Sequence, residues 1–259
     1  MKSKMIKNIL IFLLLLTIGF GQDLTADEIM DRVYTLPKPK TSIMEIRIEI
    51  TRKKRNKGKT KVREFTRYEK YYEKGKYRSK SMARFNKPKV VKGTGLLSWV
   101  QRNGQTDQWF FLPKLKTAKK VKGKEKSKSF LNTDFIYEDL ESRRPGVDSL
   151  ISIGTEFIDG EQCRVIMAWP KDQSSYFARK LWVNMQNWQI SKVEYYTSES
   201  EREKTLILSD FIEISGFTTP GKMLMDIGNG NRTLMQITSY KPDIGLNEEI
   251  FSKSFLMKK

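Results

Sequence analysis

Pairs such as Asn103-Gly104, Asp159-Gly160 and Asn229-Gly230 recur along this chain, and each stands between two short apolar runs. The left-handed backbone of a two-residue hairpin loop suits Asn-Gly and Asp-Gly, so these pairs predict tight antiparallel turns. LLSWVQ and QWFFL flank the first, SIGTEFI and EQCRVIMAW the second, MLMDI and TLMQITSY the third. FARKLWVN and WQISKVEYY form another pair around Gln186-Asn187, and EKTLILSDFIEI continues the meander. In SIMEIRIEI the apolar Met44, Ile46, Ile48 and Ile50 alternate with Glu45, Arg47 and Glu49, the period of a strand with one wet face. The pattern predicts a mainly β chain built as a single antiparallel sheet of about 10–11 strands. A sheet that long must curl or close to protect its edges.

Two segments break the alternation. LTADEIMDRVYTL has capping-box spacing at Thr25 and Glu28 and ends before Pro37. It predicts a short helix with Ile29, Val33 and Leu36 on one face. SFLNTDFIYEDLE predicts a mid-chain helix, with Thr133 as its cap and Phe135 and Leu140 turned inward. Both helices fit the mouth of a curled sheet. Ahead of them, Lys2, Lys4 and Lys7 precede an apolar run from Ile9 to Phe20, followed by Gly21. That is the layout of a secretory signal peptide over residues 1–21, cleaved between Gly21 and Gln22. The expectation is a periplasmic protein with one domain over 22–259.

Export changes what the charge means. The chain has 49 Lys+Arg against 30 Asp+Glu, a net +19, and stays strongly basic without the leader. Such charge attracts any polyanion. Outside the cytoplasm these are phospholipid headgroups and lipopolysaccharide, not nucleic acid. The chain has no histidine, which excludes Ser-His-Asp and Cys-His catalysis and any His-based metal site. The single Cys163 has no partner for an internal disulfide, and its place in CRVIMAW is that of a core residue. Glu138, Asp139 and Glu141, like Glu199, Glu201 and Glu203, could serve a hydrolase only at the right separation in space. Amid so many cations they read as charge partners. The chain reads as a binding protein without a cofactor rather than an enzyme.

Met44, Ile46, Ile48, Met223 and Met225, with the aromatic Trp99, Trp109 and Phe111, are candidates for a surface that receives an apolar ligand. A deformable Met- and aromatic-rich face suits a flexible chain where a curled sheet is too wide to fill itself. Ordinary core filling is the competing reading. Arg52, Lys53, Lys54, Arg55 and Lys57 lie in RKKRNKGKTKVR, a long hairpin, while Lys119 and Lys120 belong to a comb of lysines from Lys114 to Lys128. These cations either meet an anionic membrane surface, at about 1 kcal/mol each, or keep sheet edges unpaired.

Phe85-Asn86-Lys87-Pro88, Lys92-Gly93-Thr94-Gly95 and Asp107-Gln108-Trp109-Phe110-Phe111-Leu112-Pro113 together resemble the LolA-like family of outer-membrane lipoprotein-sorting proteins. SFLNTDFIYEDL, Ser129 to Leu140, is similar to that family's Ser-Phe-Met-Gly-Ser-Asp-Phe-Ser-Tyr-Glu-Asp-Leu. Leu131 and Asn132 stand in place of Met and Gly, and Lys119-Lys120-Val121 in place of an arginine pair. Leu181-Trp182-Val183, Ser209-Asp210-Phe211 and Phe251–Leu256 fit the same layout. The resemblance implies an incomplete β-barrel wrapped round helices that cover an apolar cavity. It implies a carrier that binds acyl chains of lipoproteins or lipids and moves them from the inner towards the outer membrane. A resistance-nodulation-division type exporter is the inner-membrane partner it implies. One alternative shares the architecture: a lipoprotein-sensing module like the RseB proteins, which binds a membrane-anchored regulator. A carboxylate-based hydrolase is the other.

Overall fold

The computed structural model describes residues 24–54, 57–141 and 143–258. The signal-peptide reading, its cleavage at Gly21/Gln22, and Arg55 lie outside them, as do the side chains of Lys54 and Lys57. Helix α1 (Ala26–Thr35) opens with the expected capping box: the Thr25 hydroxyl accepts from Glu28 N, and Thr25 N donates to the Glu28 carboxylate. Then come β1 (Thr41–Lys54), β2 (Lys57–Tyr71), β3 (Tyr77–Lys87), β4 (Gly95–Gln101), β5 (Thr106–Phe111) and the three-residue β6 (Ala118–Lys120). After a long crossover follow β7 (Asp148–Ile158), β8 (Glu161–Pro170), β9 (Ala178–Asn184), β10 (Ile190–Tyr196) and β11 (Arg202–Ser209). The small ribbon β12 (Ile212–Ile214) and β13 (Phe217–Thr219) precedes β14 (Lys222–Asp226) and β15 (Arg232–Pro242). A five-residue helix, α2 (Lys253–Met257), closes the chain.

Thirteen strands make one antiparallel sheet in the order β6-β5-β4-β3-β2-β1-β15-β14-β11-β10-β9-β8-β7. The count exceeds the expected 10–11 partly because β6, inside the lysine comb, has no alternation of its own to reveal it. The sheet is not closed: β6 and β7 are its two edges. The expected turns are in place, with Asp159 and Gly160 both in the left-handed region that a Cβ-bearing residue seldom adopts. The chain starts at the centre of the sheet, runs out to one edge, crosses to the other and returns. The seam is the β1–β15 pair, where Met44 lies opposite Tyr240 and Ile48 opposite Met235.

Strand parity divides the side chains between two faces. The inner row of β1 is Met44, Ile46, Ile48, Ile50, and the register sets Ile46 opposite Phe65 on β2 and Ile237 on β15. With Met225, Phe85, Leu96 and Ile29 these form the main core. On the outer face of the first half, Met82, Leu97, Trp109 and Phe111 form a second cluster with Phe251 and Leu256. Cys163 is buried with Val165 and Trp182 on β8 and β9.

The mid-chain helix is reduced to one 3-10 turn, Tyr137–Leu140. Leu131 and Asn132 take positive φ angles of 51° and 58°, which no helix tolerates in succession. Thr133 caps nothing. Its hydroxyl donates to Phe130 O at 2.6 Å and draws the loop back on itself, so that Ser129 and Ile136 form an isolated bridge.

Candidate ligand cavity and its strap

The crossover must join one edge of the sheet to the other, and residues 129–141 do so by running along the inner face. Phe130, Phe135 and Tyr137 turn into the core, where Phe130 packs near Phe85, Phe110 and Tyr137. Polar bonds then fix this strap to both halves. At its bend, Arg52 donates to Asn132 O at 2.7 Å and Arg63 donates to Leu131 O. Asp134 accepts from Arg52 at 2.9 Å and from the Thr233 hydroxyl at 2.6 Å. On the other half, Glu138 pairs with Arg179 of β9 at 2.7 Å and accepts from Ser174 and Ser175 N. Asp139 pairs with Lys204 of β11 at 2.7 Å and accepts from the Tyr176 hydroxyl at 2.6 Å.

The strap's carboxylates are out of water. The side chains of Asp139 and Lys204 are 1% and 2% exposed. Burial pushes the Glu138 carboxyl up, but the bonds from Ser174 and Ser175 and the Arg179 charge outweigh it, and its pKa falls below the ordinary value. Burial wins at Glu141, whose pKa is raised although Lys126 lies 2.7 Å away.

Beneath the strap lies a cavity of about 210 Å³, walled by Ile46, Phe65, Ala83, Leu96, Phe130, Phe135, Leu140, Leu206, Met223 and Met235. Its polar atoms come from Arg67, Ser81, Ser98, Asp139 and Glu141. A second cavity of about 270 Å³ opens where α1 ends, between Val33, Leu36 and Pro37 on one side and Met44, Tyr71, Ile190, Leu208, Phe211 and Tyr240 on the other. Glu69 lines this second cavity and pairs with Arg67 at 3.1 Å, so one ion pair stands at the boundary of the two.

The sequence candidates separate accordingly. Ile46 and Met223 line the strap cavity and Met44 the second one, while Ile48 and Met225 are fully buried in the core between their neighbours. Trp99, Trp109 and Phe111 are displaced from the expected site. They lie on the outer face under the C-terminal segment, where Trp99 Nε1 donates to Phe251 O at 2.9 Å. Phe110 is the inward-facing aromatic of that run. Among the cations, Lys53, Lys119 and Lys120 are exposed, Lys120 while paired with Asp107 at 2.6 Å, and Arg52 is engaged by the strap. Arg52 shares the parity of Ile48 and Ile50, which is why it points inward rather than to a membrane. Arg63, Arg67, Asp134, Arg179 and Lys204 carry the site without having been singled out from the sequence.

Among the described residues no helix is long and apolar enough to cross a membrane, and no carboxylate and thiol cluster is placed to hold a metal ion. A family model described as "Uncharacterized protein" matches residues 77–258. No curated protein matches the sequence. Among solved structures, the chain is similar to an outer membrane lipoprotein-sorting protein domain from Vibrio parahaemolyticus, at 24% identity and TM-score 0.83 over 90% of this chain and 98% of that one. A DUF1329 family protein from Desulfovibrio piger matches at 25% identity and TM-score 0.82, over 89% and 97% of the two chains. A LolA superfamily protein from Nitrosomonas europaea matches at 20% identity and TM-score 0.67, over 90% and 99%. The chain therefore belongs to the family this model describes, and its fold is that of the LolA-like outer-membrane lipoprotein-sorting proteins.

Proposed function

We propose that this protein is a periplasmic carrier that takes up acyl chains of lipoproteins or lipids and shields them from water between the inner and outer membranes. The observation that carries the reading is the mostly apolar cavity beneath a strap whose fastenings are ion pairs. Exposing an acyl chain to water costs ~0.8 kcal/mol per CH₂, so a dozen carbons represent roughly 10 kcal/mol that a carrier must offset. A cavity of about 210 Å³ is below the ~300–1,000 Å³ of pockets that enclose drug-sized ligands. Uptake of a whole chain then requires the strap to move off the inner face, merging the space beneath it with the cavity at α1.

The exposed Lys53 and Lys119, with the lysines around Lys119, are the groups available to an anionic membrane surface. An inner-membrane exporter of the resistance-nodulation-division type is the loading partner in this reading. Glu138 and Asp139, the carboxylates a hydrolase would draw on, are occupied by Arg179 and Lys204.

Mass spectrometry of protein purified from the periplasm tests the proposal. Extraction should release acyl-bearing molecules in near-stoichiometric amount. Protein that carries none, and that fails to take up a fluorescent fatty-acyl probe after purification, overturns it.

A further inference from the structure

The strap cavity contains one arginine in a wall that is otherwise mostly apolar, and the geometry points to a use for it. We propose that Arg67, with Ser81 and Ser98, reads the neutral carbonyl of an ester- or amide-linked acyl chain, and so selects acylated molecules over free hydrocarbon. This deepens the carrier reading and rests on it.

Arg67 is enclosed by protein, yet 32% of its side-chain surface is accessible. What it faces is the cavity that it lines. One end of the guanidinium donates to Glu69, which is 7% exposed and also accepts from the Tyr71 hydroxyl at 3.1 Å. Its Nε is unpaired but sealed off, whereas Nη1, also without a partner among the described residues, is not sealed and is the donor the cavity can reach. A buried donor left unmet is unfavourable, and native proteins leave few of them. Ser81 and Ser98 lie opposite each other on β3 and β4, line the same wall, and have no protein partner for their hydroxyls among the described residues. The polar rung they belong to runs straight across the strands, Ser42 opposite Glu69, Glu69 opposite Ser81, Ser81 opposite Ser98.

Charge decides what such a group can accept. Arg67 is compensated by Glu69, Asp139 by Lys204, and Glu141 by Lys126. An anion entering here would find no uncompensated cation to offset its lost hydration. A carbonyl oxygen needs only a donor, and that is what remains.

The test uses three probes on protein freed of lipid: the methyl ester of 1-pyrenedecanoic acid, the carbonyl-free 1-decylpyrene, and decyl phosphate as competitor. Wild type should bind the ester about tenfold more tightly than the hydrocarbon, and decyl phosphate should displace it poorly. Arg67→Met alone would strand Glu69, so the variant is Arg67→Met with Glu69→Gln. It should bind both pyrenes equally, with hydrocarbon affinity unchanged. Should that variant fail to fold, the Arg67 Nη-bound proton resonances of wild type decide, shifting with the ester and not with the hydrocarbon.

Equal binding of the two pyrenes by wild type, strong competition by decyl phosphate, or an ester preference that survives in the folded variant each overturns the assignment while sparing the carrier. Binding of no probe at all overturns both.

Discussion

The sheet carries a covering segment on each face, and the two are held by different chemistry. On the outer face, the C-terminal segment inserts Phe251 and Leu256, 1% and 0% exposed, among Met82, Leu97, Trp109 and Phe111. Gly95 makes room for it: a Cβ there would stand 2.7 Å from Leu256 Cδ1. The segment's charges stay at the surface, with Glu248 half exposed and Glu249 paired to Lys258 in solvent. On the inner face, the strap also buries aromatics, but it takes Glu138 and Asp139 into the interior with it. Apolar burial favours the closed state at every point of contact. A buried ion pair returns little beyond the hydration it forfeits, while it demands one geometry. The outer cover is thus held chiefly by apolar burial, whereas the inner one adds buried ion pairs that fix its position.

Breaking the strap's deepest pair should have the largest effect. Lys204→Met leaves Asp139 charged in the interior without its paired cation, which costs about 3–5 kcal/mol. Replacing both partners, Lys204→Met with Asp139→Leu, should restore most of that stability in urea titrations. An equally damaged double variant would mean that the pair itself stabilises the fold, and the contrast between the covers would fail.

Phe251→Ala should cost about 3–4 kcal/mol through the cavity it leaves. Acyl-probe affinity of the folded fraction should stay within twofold of wild type, an estimate that follows from sites without shared contacts being additive. Loss of probe binding in that variant would show that the outer cover communicates with the inner cavity.

Arg52→Gln touches a half-exposed tether, so stability should fall by about 1 kcal/mol or less. Its readout is kinetic: faster probe release and faster proteolysis near Leu131–Asn132. Unaltered release would remove Arg52 from the fastening.

The smallest effect is pH dependence. The folded-state pKa of Glu138 lies below its ordinary 4.5, so its contribution is present above that value and is lost as pH falls through the folded pKa. Glu141 has the opposite sign: its pKa is raised, and protonation relieves it. Glu138→Gln should therefore flatten the acid limb of a stability profile and Glu141→Gln should not. Superimposable profiles for wild type and Glu138→Gln would refute this.

The hairpins and α1 were legible because their signals are local: Asp159-Gly160 is a turn whatever surrounds it, and Thr25 needs only Glu28. Which face a strand presents is legible only where one face is polar. Met44 to Ile50 pass that test, and Arg52 follows from continuing the parity. Trp109-Phe110-Phe111 fail it, since both faces are buried, one by the strap and one by α2. SFLNTDFIYEDLE carries a helical spacing, but its conformation is set by Arg52, Arg63, Arg179 and Lys204, which lie up to about eighty positions away. The LolA-like resemblance marked the segment as shared without saying what it holds.

The central seam has a kinetic consequence. Every other neighbouring pair in the large sheet except β11–β14 joins strands consecutive in sequence, so each half is a run of hairpins that can form as the chain emerges. The pairing of Met44 with Tyr240 must wait for the last strand. Before that moment Ile46 and Met235, two walls of the strap cavity, belong to separate halves. A chain arrested before β15 lacks both Met235 and the β1–β15 seam, so the wall of the strap cavity is completed only when the last strand of the sheet pairs.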